Sequence, residues 1–162
     1  LPVHPFWIII GQGMLAGISV NAVFAFGEEA GWRGYLFYEL QQLNFWKSSA
    51  FIGAVWGIWH FPVILLGHNY PMHPRIGVLL MVMMCVLLSP ILNLIRIKSG
   101  SVFPAAIFHG TFNGTAGLAI IMVKGGNDLT NGVTGLAGLI VLLGVNLVIY
   151  WLYGKNPRFE SN

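Results

Sequence analysis

The sequence predicts an all-α, polytopic transmembrane bundle with about five spanning helices. Charged residues make up only 8% of the chain, against about 25% in soluble domains, too few to cover a water-exposed surface. Hydrophobic residues reach 56%. They gather in stretches of roughly 20, the length that crosses a bilayer core at about 1.5 Å per helical residue.

The first stretch runs from Phe6 to Phe26 and continues through Glu28 and Arg33 into "GYLFYELQQL", an amphipathic tail that extends or restarts the helix. After "QQLNFWK" comes Ser48 to Gly67, and after "GHNYPMHPR" comes Ile76 to Ile95. The link "RIKSGS" leads to Val102–Val123, and "KGGNDLTNG" leads to Val133–Tyr153. Gly13 and Gly17, Gly53 and Gly57, and Gly110 and Gly114 recur at four-residue spacing, which lets membrane helices approach closely. No repeat or soluble second domain interrupts residues 1–162, which read as one transmembrane domain. The chain starts "LPVHPF" rather than with Met, so it is expected to be the core of a longer protein, lacking upstream helices.

Charge and cysteine narrow the function. The net charge of +3 does not point to nucleic acid, because the basic residues stand singly at the ends of apolar runs, where lipid headgroups anchor them. Lys47, Arg96, Lys98, Lys155 and Arg158 fall on one side, and Arg75 and Lys124 on the other. By the positive-inside rule the C-terminus is expected in the cytoplasm, with the chain in the cell membrane. Cys85 is the single cysteine, so no intrachain disulfide forms, and it reads as a small hydrophobe. "GQGMLA" follows no strand and opens no βαβ unit, which excludes a dinucleotide site.

Scarce charge is concentrated in "FGEEAGWRGYLF", which holds two of the five acidic residues. At about 100° per residue, Glu29 and Arg33 share a helix face as an i,i+4 pair, while Glu28 points elsewhere. A carboxylate spared from pairing can exchange protons with a substrate or water. His60 lies inside the second stretch, in "WGIWHFPV". His109 and Asn113, in "FHGTFNG", share a face of the fourth. Ionisable groups within spans mark polar cavities or pathways. Together these residues supply a base, acidic or electrophilic partners and amide donors for an oxyanion. His68 and His73, in the "GHNYPMHPR" link, read as solvated.

Other proteolytic chemistries lack their parts. An aspartyl mechanism needs two Asp, and Asp128 stands alone; no HExxH run exists, and no motif surrounds Ser19, Ser89 or Ser101. Glu and His acting on water remain. A transporter would need a polar path to both faces, yet the fifth stretch offers only Asn146 and the third only Ser89 and Asn93.

"EEAGWR", "WGIWH" and "HGTFN" match, in order, the EExxxR, aromatic-xxx-His and HxxxN signatures of the CPBP family (CAAX proteases and bacteriocin-processing enzymes, also called ABI), which the chain resembles from Glu28 to Asn113. The match departs at Trp56, where that family more often has Phe, an exchange of aromatics expected to be harmless.

The resemblance implies an intramembrane protease core. Glu28 would be the base that activates water together with His60, His109 and Asn113 would stabilise the oxyanion, and Glu29–Arg33 would be a structural ion pair. It implies a peptide substrate, such as the prenylated tail of a CAAX protein. Glu28, His60 and His109 would also make a His₂Glu set of the kind that holds catalytic zinc. The glutamate–water mechanism needs no cofactor, and metal-free hydrolysis is the expectation. A non-catalytic immunity or peptide-binding member of the same family is the alternative.

Overall fold

The computed structural model describes residues 5–118 and 123–154. Lys155 and Arg158, two residues of the orientation count, lie outside the described residues, as do His4 and positions 119–122 of the fourth apolar stretch. Among the described residues every regular element is a helix.

Helix α1 runs unbroken over the 34 residues Phe6–Glu39, so the amphipathic tail extends the first stretch. It contains two π-helical turns, Gly17–Asn21 and Ala30–Leu36. Its buried stripe passes through Ala25, Glu29, Arg33 and Phe37 at four-residue spacing, with Glu28 half-buried at the edge. Helix α2, Phe45–Trp59, is started by Asn44, whose Oδ1 accepts from the Lys47 N–H at 2.9 Å. It breaks at His60, because Pro62 has no N–H and its ring disfavours a helix running through. The short α3, Phe61–Leu65, follows. Helix α4, Pro74–Ser99, ends where Gly100 turns left-handed at φ 67°. Helices α5, Phe103–Thr115, and α6, Leu136–Tyr153, complete the bundle.

Three of these helices, α1, α4 and α6, are long and apolar enough to cross a membrane. The sequence led us to expect about five. Among the described residues the difference lies in α2 and α5, helices of 15 and 13 residues. An apolar run measures how far lipid-compatible side chains continue, not where the backbone breaks. Outward side chains such as Phe24, 75% exposed, and Trp151, 81% exposed, sit among other exposed apolar residues. Soluble monomers rarely show such patches; here the apolar solvent is lipid.

Helix α4 is the hub, packing against α2, α3, α5 and α6. Met81, Met84, Cys85, Leu88 and Leu92 carry the core along it. All three glycine pairs lie at helix crossings. A Cβ on Gly57 would stand 2.5 Å from Val82 Cα, and one on Gly53 the same distance from Val86 Cα. Gly13 and Gly17 on α1 meet Gly110, Thr111 and Gly114 on α5 in the same way. We therefore expect Gly57→Leu to force α2 off α4 and cost about 1–3 kcal/mol. That would be read as a lower unfolding midpoint in detergent; an unchanged midpoint would show that this crossing has slack.

Candidate active site

Three helices bring the polar residues together. Helix α1 carries Glu28, Glu29 and Arg33, α2 carries Trp56 with His60 just past its end, and α5 carries His109 and Asn113. Glu28, His60, His109 and Asn113 line one cavity of about 380 Å³. Met81, Met84 and Leu88 of α4 form part of its apolar wall, a contribution from the third stretch that the sequence had not indicated.

The two neighbouring glutamates have separate partners. Glu29 is fully buried, and its Oε1 accepts from Arg33 Nη1 at 3.0 Å and from His109 Nδ1 at 2.9 Å. Arg33, also fully buried, donates from Nη2 to Ser89 Oγ at 3.0 Å and lies 4.6 Å from the centre of the Trp56 ring. Glu28 takes no part in this network. Its Oε2 accepts from the Trp56 indole N–H at 2.9 Å, and its carboxylate faces the cavity.

Both histidines are oriented by acceptors. His60 Nδ1 sits 2.8 Å from the Trp56 carbonyl oxygen, which can only accept, so Nδ1 carries the proton. The carbonyl is available because the helix tightens at its end, where the His60 backbone N–H turns to Gly57 O. His109 Nδ1 likewise donates to the Glu29 carboxylate. In the neutral ring, Nε2 of each histidine is then a lone pair, the arrangement that suits a base. His109 can donate from Nε2 only when protonated, whereas the Asn113 amide donates at any pH.

Each of Glu28, His60 and His109 keeps a free lone pair, on Oε1 of the glutamate and on Nε2 of each ring. A ring that donates from Nδ1 to a carbonyl or carboxylate is oriented as a metal-ligating histidine is, as well as a base. Among the described residues, no three His, Cys, Asp or Glu side chains gather closely enough to hold an ion.

Residues 3–115 match the family described as type II CAAX prenyl endopeptidase, Rce1-like, a span that contains the whole polar cluster. The chain belongs to this family. It is also 46% identical over 44 residues to a protein of Methanococcus maripaludis named CAAX prenyl protease 2. That alignment covers 26% of this chain and 16% of the relative, so the chain spans well under two thirds of it. No solved structure matches the chain significantly.

In this Rce1-like chain the link after α3 leaves His68 exposed, as expected, but the link is anchored by Tyr70. Tyr70 is fully buried, and its hydroxyl donates to Thr134 O at 2.6 Å. Held there, the link brings His68 and Asn69 to the cavity. His73 is pinned as well, its Nδ1 lying 2.6 Å from Asp128 Oδ1. The available signal was Tyr70 itself: an aromatic in a Gly- and Pro-containing link can anchor it while a nearby histidine stays exposed.

Proposed function

We propose that this chain forms the catalytic core of an intramembrane endopeptidase that hydrolyses a peptide bond with water activated by Glu28 and His60. The observation that carries this reading is the convergence of Glu28, His60, His109 and Asn113 on one cavity, from three parts of the chain. Glu28 accepts a proton from water while His60 Nε2 orients the same molecule. The resulting hydroxide attacks the peptide carbonyl, and the Asn113 amide donates to the oxyanion, joined by His109 when that ring is protonated. The proton held by Glu28 then passes to the leaving amine, and two peptide ends result. Buried apolar walls keep these charges poorly screened, which strengthens donors preorganised toward the oxyanion.

The substrate we assign is a small peptide segment, in particular the C-terminal tail of a prenylated CAAX-type protein. Family membership and the name of the Methanococcus relative support this assignment. No metal takes part in the step, and the spacing of the described His, Cys, Asp and Glu side chains, no three of which gather closely enough to hold an ion, supports that reading. The protein works in the cell membrane with its C-terminus in the cytoplasm, an orientation that rests on the lysine and arginine count in the links.

The test is cleavage of prenylated and unprenylated peptides by the full-length protein, purified and reconstituted in liposomes, with and without a chelator. We expect cleavage that the chelator does not diminish. Loss of activity in the chelator arm would restore the metal mechanism. A folded protein that cleaves no peptide would make the chain an immunity or peptide-binding member of the family.

A further inference from the structure

Trp56 touches more of the site than any residue assigned a role above. It is 1% exposed and lies in the core between Leu88 and Met84 of α4 and the polar cluster. Its indole N–H donates to Glu28 Oε2 at 2.9 Å, and its carbonyl accepts from His60 Nδ1 at 2.8 Å. The face of the same indole carries the Arg33 guanidinium, and His109 meets its ring edge-to-face, with centroids 5.1 Å apart at 77°. The exchange that the sequence made look harmless therefore adds a group that Phe lacks: a fixed N–H donor aimed at the free carboxylate.

A glutamate side chain has three rotatable bonds, and one that projects into a cavity samples several of them. Among the described residues, Trp56 gives Glu28 its hydrogen bond. Because the indole cannot move without displacing the buried Arg33 and His109, the bond restrains the carboxylate at one oxygen and leaves the other to meet water. Gly53 and Gly57, on either side of Trp56 in sequence, are where α2 crosses α4 closely. We propose that Trp56 is a positioning residue, holding the Glu28 carboxylate through its side chain and the His60 ring through its backbone, so that base and histidine are registered to each other by one residue. This rests on the endopeptidase reading above.

Trp56→Phe separates the parts. It keeps an aromatic face for Arg33, an edge contact for His109 and the carbonyl for His60, and removes the N–H with the rest of the five-membered ring, leaving a small cavity. A hydrogen bond to a charged group contributes enough that its loss corresponds to about a ten- to hundred-fold change in rate. We expect kcat to fall by that factor in Trp56→Phe, with KM unchanged and a modest fall in the unfolding midpoint from the small cavity. Trp56→Leu, which removes the aromatic ring altogether, lowers the midpoint further. A purely structural Trp56 would instead give wild-type kcat in every Trp56→Phe molecule that folds, and that result overturns the proposal.

A second measurement does not depend on turnover. The Trp56 indole ¹H–¹⁵N resonance, identified by its loss in Trp56→Phe, is expected to move in Glu28→Ala and to stay in place in Glu39→Gln, a change at an exposed glutamate of the same helix. A resonance that ignores Glu28→Ala overturns the proposal whatever the rates. If the wild type cleaves nothing, the endopeptidase reading falls by itself, and the resonance still decides whether Trp56 holds Glu28.

Discussion

Glu28→Gln is expected to reduce peptide cleavage by about 10²–10⁴-fold, the usual contribution of a general base, while the bundle folds as before. Gln matches Glu in shape and keeps an oxygen that can accept from the Trp56 indole, so the local packing survives. It cannot take a proton from water. The substitution also leaves the buried network intact, because Glu29, not Glu28, pairs with Arg33 and His109. Cleavage rates and thermal unfolding of the same preparation in detergent separate the two effects. Cleavage at the wild-type rate would remove Glu28 from the mechanism, and a collapsed midpoint would make it a structural residue.

Arg33→Ala is expected to act in the opposite way, through stability. Arg33 and Glu29 are both fully buried, and removing one partner strands the other charge where water cannot reach it. Breaking such a pair costs about 3–5 kcal/mol, a large share of a typical stability of roughly 5–15 kcal/mol. Ser89 would lose its donor and the Trp56 ring its cation in the same step. We therefore expect low abundance and a sharply lowered midpoint. The double change Glu29→Leu with Arg33→Met should recover most of that loss, since no unpaired charge remains and the new side chains pack as hydrocarbon. Activity should not return with it, because His109 would have lost the carboxylate that orients its ring. An Arg33→Ala protein as stable as the wild type would show that the site admits enough water to solvate Glu29.

The different surroundings of the two glutamates were legible in the sequence because they are local. Helical rotation places Glu28 and Glu29 about 100° apart, and the structure shows Glu29 on the buried stripe and Glu28 at the cavity. The glycine pairs were legible for a similar reason: missing side chains permit close crossings wherever the helices meet. His109 was only half readable. Its place beside the cavity followed from its position within an apolar stretch, but its bond to Glu29 joins residues 80 positions apart. Helical periodicity carries no information across that distance. The same holds for His68, which reaches the cavity only because Tyr70 and Thr134 tie two distant links together.

By itself, then, the sequence determined the solvent, the helical character of the chain and which carboxylate is free. Each follows from composition or from rotation about a single helix axis, and neither needs a partner helix. Only the tertiary structure decided which helices are long enough to span, since the break at His60 and the end of α5 at Thr115 are backbone events inside apolar runs. It also decided that Trp56 lies between the two halves of the site, one hydrogen bond reaching Glu28 and the ring face reaching Arg33. Contacts of that kind depend on how closely α1, α2 and α5 approach, a distance set by packing around α4 that no single segment encodes.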